Sequence, residues 1–414
     1  MSRQTHRARW IIPVDSPPIE NGRLIIEAGR IIEIGHARGA SVGEIDHGDS
    51  VIVPGFVNAH THLELTPFRG RVPFSGSFVQ WVEGLVAARR AESADGDPAA
   101  AICDGARQSL AAGVTAIGDI GCGAYAATGW SQVELWLTGC LEVLGMGPRS
   151  SVSHGQSFDS LQVVCDRAPR TGRCRIGLSP HAPYSVDAGV YQRAIECARS
   201  AGLPICTHLA ETRDEIQFLA DGTGPFHELL ERWGLWDGSF SPPGCSPVQY
   251  MHRLGLLECR PLLIHVNYLD DKDMEVLSGH ACGVAYCPRS HRFFDHKPHR
   301  WRDMLERGIN VCVGTDSLAS NDSLSVLEEL RFLHRQSPAT NPETLLRMGT
   351  LGGARALGVE TTCGSLSPGK SADFVTIPLK QPVGIHPFVD VLESFAPPSA
   401  VYLRGARVQP RPEA

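Results

Sequence analysis

No stretch of the sequence approaches the roughly 20 uninterrupted apolar residues of a membrane-spanning helix, so a membrane partner is not expected. Basic residues are the minority. Lys and Arg number 38 against 45 Asp and Glu, a net charge of −7, which argues against a nucleic acid held on a basic surface. The opening MSRQTHRARWIIPVDSPPIE is basic but has no apolar h-region behind it, so no signal peptide is expected and the cytoplasm is the expected compartment. The 13 cysteines include no CxxC pair and no regular spacing, and read as small buried hydrophobes under reducing conditions. Internal repeats, low-complexity linkers and the GxSxG elbow of serine hydrolases are all missing. Lysine is scarce: the first in the chain is Lys272. What is present is an ordinary globular composition, 42% hydrophobic and 20% charged over 414 residues, long enough for a sizeable core.

The two ends are β-rich. Residues 23–34, RLIIEAGRIIEI, form a hairpin pattern around Ala-Gly. Near the C-terminus Ala372 to Ile377 reads as a strand, and Val401 to Leu403 and Arg407 to Val408 flank Gly405. Between the ends, eight apolar runs read as strands: Val51 to Val57, Val114 to Asp119, Leu135 to Val143, Arg175 to Ser179, Pro204 to His208, Leu262 to His265, Gly283 to Cys287 and Asn310 to Thr315. Helical stripes separate several of them, for example Ile102, Ala106 and Leu110 before Gly113, and Val190, Ala194 and Ala198 before Gly202. Eightfold strand–helix alternation predicts an α/β fold. The expected form is a (β/α)8 TIM-like barrel over 55–364, with a small β-sandwich domain formed by both chain ends, 1–54 and 365–414. An open doubly wound sheet is the alternative. The stretches 61–98 and 212–259 are too long for simple connections and read as lids or substrate-binding walls. Within the first, Phe78, Trp81, Val82 and Leu85 form a helical apolar stripe, read as core rather than ligand wall.

The strongest local signal is NAHTHLE, residues 58–64, after VIVPGFV. Side chains two apart on a strand face the same way, so His60 and His62 present two imidazoles in one direction. Three more candidate strands lead into ionisable residues: PICTH into His208, PLLIH into His265 and NVCVGTD into Asp316. A hydrogen-bonded core histidine or a capping aspartate explains any one of them. Together, at strands one, five, six and eight, they would converge on the C-terminal mouth, where barrel active sites lie. Buried charge there needs a partner, and His with carboxylate suits a divalent metal such as zinc or iron.

With PGFVNAHTHLE, THLAE, IHV and GTDS in this order, and GSLSPGKSADFVTI returning to the β-rich end, the chain resembles the amidohydrolase superfamily from about Ile25 to Val408. The resemblance implies that His60, His62, His208 and Asp316 bind the metal, with His265 beside its water. Two-metal members commonly bridge the ions with a carboxylated lysine from the fourth strand. Since no lysine precedes Lys272, that bridge is impossible here; a Cys or Glu bridge stays open, and one divalent ion, zinc or iron, is the reading. In the resembling deaminases the carboxyl at the position of Glu211 shuttles protons to the ring of an aromatic base, which leaves Glu211, His265 and Asp316 as the catalytic set. His181, in SPHAPYSV, stands where the resembling nucleoside deaminases contact substrate. The segments HTHLELT, CPRSHRFF and GTDSLASNDSLSVLEELR look closest to the aminodeoxyfutalosine deaminases of the alternative menaquinone route. Their substrate carries an aryl carboxylate, for which Arg289 is the expected clamp, with Arg69, Arg149 and Arg292 as alternatives.

S-adenosylhomocysteine, methylthioadenosine and guanine deaminases are the neighbouring readings. A triazine chlorohydrolase or cyclic-amide hydrolase is the reading from another class, disfavoured by the presence of both Glu211 and His265. The expected partner is a small purine nucleoside, and a homo-oligomer stays open. Two motifs are set aside. GSLSPGKS, residues 364–371, fits the phosphate-loop pattern but leads into a strand-like segment instead of a helix. His62-Leu63-Glu64 fits the HxE of the unrelated zinc deaminases but lacks their PCxxC. The lysine argument gives a direct test. Elemental analysis of purified protein should find about one divalent ion per chain, and His208→Ala or Asp316→Ala should remove both metal and activity. Two tightly bound ions per active chain would overturn it.

Overall fold

A computed structural model describes the chain apart from residues 1–2, 38, 40–42, 93–95, 148–154, 156–157, 159–171, 380–385 and 409–414. In chain order the first strands are β1 (Gln4–Ile11), β2 (Ile19–Glu27), β3 (Arg30–His36), β4 (Ile45–Asp46) and β5 (Ser50–Pro54). Next come β6 (Phe56–Thr61), β7 (Val114–Gly121), β8 (Trp136–Val143), β9 (Cys174–Pro180), β10 (Cys206–Leu209), β11 (Leu262–His265), β12 (Gly283–Tyr286) and β13 (Asn310–Val313). The last three are β14 (Phe374–Pro378), β15 (Ala400–Leu403) and β16 (Ala406–Val408).

Strands β6 to β13 are nearly free of exposed residues, as strands covered on both faces must be. They pair in parallel as two four-stranded sheets, β6-β7-β8-β9 and β10-β11-β12-β13. The sheets meet at both edges. A single parallel bridge, Leu178 to Ile205, joins β9 towards β10. At the other edge Thr315 N and Asp316 N each donate to His60 O at 3.1 Å, and Asn58 Nδ2 donates to Thr315 Oγ1 at 2.7 Å. All eight expected strands therefore have a counterpart, with one correction. The run Val51–Val57 is divided at Pro54-Gly55: β5 pairs antiparallel with β14, whereas β6 pairs parallel with β7. Pro54 has no N–H to carry a ladder onward. Gly55 allows the change of sheet, because a Cβ there would lie 2.1 Å from Thr115 Oγ1.

Both chain ends enter one eight-stranded sheet, ordered β16-β15-β14-β5-β1-β2-β3 with β4 on β1. The expected hairpin at 23–34 is β2–β3, turning through Ala28 and Gly29 at φ 49° and 78°, the positive-φ pair of a tight hairpin. Trp136 Nε1 donates to Asp373 Oδ2 at 2.6 Å and Arg404 N to Asp373 Oδ1 at 2.8 Å, so one buried carboxylate ties the parallel strands to the terminal sheet. No helix among the described residues is long and apolar enough to cross a membrane.

The long inserts are structured. The first contains a helix at Phe78–Glu92, and the second contains helices at Arg213–Asp221, Pro225–Arg232 and Pro247–Arg253. Gly118 shows how closely the parallel strands are packed beneath the site: a Cβ there would meet Ala59 O at 2.4 Å, and a backbone oxygen cannot move aside cheaply. Gly118→Ala should therefore cost roughly 1–3 kcal/mol in a urea titration. It should also weaken metal binding, because Ala59 precedes His60. A midpoint equal to wild type would contradict this packing.

Candidate active site and metal centre

Every sequence-expected metal ligand lies at the C-terminal end of a parallel strand or just past it, and the fold brings them together. His60 Nε2 is 3.5 Å from Asp316 Oδ1, His62 Nε2 is 4.0 Å from the same oxygen, and the Nε2 atoms of His62 and His208 are 3.2 Å apart. His60, His208 and His265 form one group able to share an ion, and His60, His62 and Asp316 another. Ligand atoms around a tetrahedral ion with bonds of 2.0–2.1 Å stand roughly 3.3–3.4 Å apart, so the spacing fits a divalent metal.

The chemistry of the donors fits as well. His60 Nε2 is buried and accepts or donates no hydrogen bond. His208 Nδ1 lies 3.1 Å from the carbonyl of His181, an arrangement that puts the ring proton on Nδ1 and leaves the Nε2 lone pair facing the site. Burial, reinforced by His60, pulls the His62 imidazole down to about 3, and burial with the neighbouring imidazoles holds His208 and His265 well below the usual histidine range. Neutral rings aimed at one another are mutually repulsive unless a cation lies between them. Burial by itself would raise Asp316, but His60, 3.5 Å away, together with His265 and His62, holds it well below the carboxylate range.

A further layer of contacts sets the orientation of these groups. Asp316 Oδ2 accepts from Ser290 Oγ at 2.7 Å and from Ser320 Oγ at 2.8 Å, which leaves Oδ1 towards the histidines. His265 and Asp316 take left-handed φ values, 71° and 59°, conformations costly for non-glycine residues. His299 Nε2 contacts His265 O at 2.8 Å, and the His60 carbonyl holds the Asp316 amide, so the unusual backbone is fixed from outside.

Glu211 Oε1 stands 3.4 Å from His265 Nε2. Burial, followed by the Asp316 and Glu215 carboxylates, pushes the Glu211 carboxyl well above the usual range. Glu215, four residues on, is fully buried. Its two oxygens accept from Ala210 N and Glu211 N at 2.8 Å each, which pins the HLAE turn. Asn267 Nδ2 donates to Glu211 O at 3.0 Å, and Asn267 Oδ1 is held by His291.

A cavity of about 340 Å³ opens onto His62, His208, Glu211, His265 and Asp316, and His181 lines it too. One wall is apolar: Phe78, Trp81, Val82 and Leu85 from the first insert face Phe226, Leu229 and Trp233 from the second. The stripe read as core is therefore also a cavity wall, because the second insert leaves a gap beside it. Arg289 is not brought into the cavity. Its Nη1 donates to Ser323 Oγ at 2.9 Å, and its guanidinium pairs with Asp322 and, at 3.8 Å, with Glu329. The expected carboxylate clamp at this position is thus corrected: the adjoining acidic segment saturates the side chain. Arg69 is bonded to Gln108, Arg292 does not line the cavity, and Arg149 lies outside the described residues.

The cation that does line the cavity is Arg89, whose Nη2 contacts Glu64 Oε1 at 2.6 Å. Glu64 Oε2 in turn accepts from Tyr125 Oη at 3.0 Å and Cys122 N at 3.1 Å. Glu142 also lines the cavity. Sequence reasoning passed over Glu142 and weighed Glu64 only within the HxE pattern that was set aside. For Glu142 a signal existed, a lone carboxylate inside the apolar strand run LWLTGCLEV. For Glu64, Arg89 and Glu215 the pairing partners are too distant, or too ordinary in pattern, to have shown it.

Parallel strands carrying histidines and an aspartate at their C-terminal ends, over a partly apolar cavity, are an arrangement suited to a hydrolase that holds a divalent metal. Residues 51–407 match the Amidohydrolase family, and the chain belongs to it, as a hydrolase of carbon–nitrogen bonds. It is 30% identical over 392 residues to a 5-methylthioadenosine/S-adenosylhomocysteine deaminase of Moorella thermoacetica, covering 90% of this chain and 85% of that protein. It is 30% identical over 329 residues to the aminodeoxyfutalosine deaminase of Deinococcus radiodurans, covering 76% and 75%. Its fold is similar to that of a zinc-bound adenosine deaminase from Xanthomonas campestris, with a TM-score of 0.81 at 22% identity, over 98% of this chain and 92% of that one. The hydroxyls on Asp316 supply a test of the orienting layer. Ser290→Ala should lower metal affinity by roughly ten- to hundredfold in a chelator competition. Unchanged affinity would mean that Ser320 alone fixes the carboxylate.

Proposed function

We propose that the protein is a metal-dependent hydrolytic deaminase of an adenine nucleoside, built as a (β/α)8 barrel closed across its two half-sheets (55–364) and a β-sandwich made by the chain ends. One observation carries the reading: the buried Glu211 carboxyl lies 3.4 Å from His265, beside the cluster of His60, His62, His208 and Asp316 and on the wall of the same cavity. His60, His62, His208 and Asp316 would hold one divalent ion, zinc or iron, and that ion when bound supplies the Lewis acidity that activates water.

The remaining steps belong to the chain's own residues. Asp316 and His265 accept the proton of the attacking water and direct its oxygen at the amine-bearing ring carbon. Negative charge then gathers on the adjacent ring nitrogen, and Glu211, whose burial favours its protonated form, donates there. The water proton held by Asp316 and His265 is then passed to the amine, which leaves as ammonia; the ring carbon keeps the oxygen, and the remaining hydroxyl proton returns to Glu211. A triazine-type hydrolysis, with chloride leaving, also gains from protonating a ring nitrogen, so Glu211 would serve either reaction; the activities of the relatives favour deamination.

Aminodeoxyfutalosine, in a menaquinone route, is the specific substrate this reading names first, followed by methylthioadenosine and S-adenosylhomocysteine, in keeping with the relatives' activities. The apolar wall suits a 5′-substituent richer in carbon than a free hydroxyl. Ammonia release against a panel of aminodeoxyfutalosine, methylthioadenosine, 5′-deoxyadenosine, adenosine, guanine and a chlorotriazine tests the assignment. Turnover confined to the adenine nucleosides is expected. Glu211→Gln should keep the fold and metal and lower kcat by roughly a hundredfold or more. Near wild-type turnover by that variant, or a preference for the chlorotriazine, would sink the reading.

A further inference from the structure

In the cavity His62, His208, Glu211, His265 and Asp316 have a part in the metal site or the proton transfers; Glu142 has none. It lies near the end of β8, in the cavity wall. The Cys122 thiol donates to Glu142 Oε2 at 2.8 Å, whereas Oε1 accepts no hydrogen bond from a described residue. The nearest group recorded beside Oε1 is His181 Nε2, at 4.0 Å, too far for a hydrogen bond whichever nitrogen carries the proton.

The position of that proton can be read from the other side of the ring. His181 Nδ1 is 2.7 Å from Ser185 Oγ, and the Ser185 hydroxyl donates its hydrogen to Ala182 O at 3.1 Å. Ser185 therefore accepts from Nδ1–H, and His181 Nε2 turns a lone pair towards Glu142. Two acceptors face the cavity 4.0 Å apart with no donor between them. Both side chains are partly open to the cavity, His181 25% and Glu142 12% exposed, so the two acceptors are available to a ligand that brings hydrogens.

We propose, on the basis of the nucleoside deaminase reading above, that Glu142 Oε1 and His181 Nε2 together recognise the sugar of the substrate, each accepting from one hydroxyl of a cis-vicinal diol. A ribonucleoside presents its 2′ and 3′ hydroxyls side by side and can serve both acceptors at once. The base is the other source of donors in such a substrate, but its exocyclic amine sits on the carbon under attack, at the histidine cluster, and its ring nitrogen faces Glu211. Arg89, anchored by Glu64 at 2.6 Å, lines the same cavity and supplies N–H groups for the hydroxyl oxygens. The substrate class is thus a ribonucleoside, and 2′- and 3′-deoxynucleosides and the free base are rejected.

The test compares kcat/KM of the zinc-loaded enzyme for methylthioadenosine, its 2′-deoxy and 3′-deoxy analogues, and adenine. Wild type should favour the ribonucleoside over each deoxy analogue by about tenfold or more, the scale of a hydrogen bond to a charged acceptor. In Glu142→Ala the ribonucleoside should lose most of this advantage, while the deoxy analogues fall far less, with bound zinc unchanged. If that variant does not fold, the wild-type ratios and the isosteric Glu142→Gln carry the comparison. Equal use of ribo and deoxy substrates by wild type, or a preference that survives removal of the carboxylate, overturns the proposal alone. An enzyme that releases ammonia from none of the adenine compounds overturns the deaminase reading, and this proposal with it.

Discussion

The carbonyl oxygen of His60 accepts two amides, those of Thr315 and Asp316, and this fork determines where the rest of the site stands. It joins the first parallel strand to the segment after the last one, so the edge that unites the two half-sheets also sets a histidine against an aspartate. The Asn58–Thr315 bonds reinforce the same edge. Asp316 must adopt a left-handed backbone to reach it, and the two serines on its far oxygen hold the carboxylate there. Strain and precision thus arise together. The conformation that a polypeptide avoids is retained because the Asp316 amide and both serine contacts to its carboxylate depend on it.

Buried carboxyl groups in this molecule follow opposite electrostatic fates for a clear reason. Asp316 is ringed by imidazoles and stays ionised against its burial. Glu211, just past the end of β10, is pushed upward by its burial and then by the Asp316 and Glu215 carboxylates. Glu215 could have been the more costly case, having no cation beside it. Burial raises it only to about 7, because backbone amides occupy both its oxygens. One acid is an anion, one a proton reservoir and one a peg for the turn between them. Chemistry at the mouth depends on keeping these environments apart.

The cavity has two characters because two unlike sources build it. Helices from the long inserts provide the apolar wall, while strand ends provide the polar floor. Loops of this kind vary more readily than strand ends, which is why the reaction class is easier to read than the substrate. Arg289 illustrates the point: its motif marks it for the catalytic face, yet the neighbouring Asp322 and Glu329 draw it out of the cavity.

The strands, their parallel order and the histidines and aspartate that gather at the candidate metal site were legible from one dimension, because each depends on local pattern. An apolar run of strand length ends, and a histidine or aspartate follows it where burial demands a partner. The break at Pro54-Gly55 was legible only in hindsight, since both halves are apolar and only pairing separates them. What tertiary structure alone decided are relations between distant side chains. Arg89 with Glu64, Glu142 with His181, and the saturation of Arg289 are fixed by which loop lies beside which strand end. Hydrophobic periodicity carries no information about those encounters, because a surface arginine and a cavity arginine look the same until the chain is folded around them.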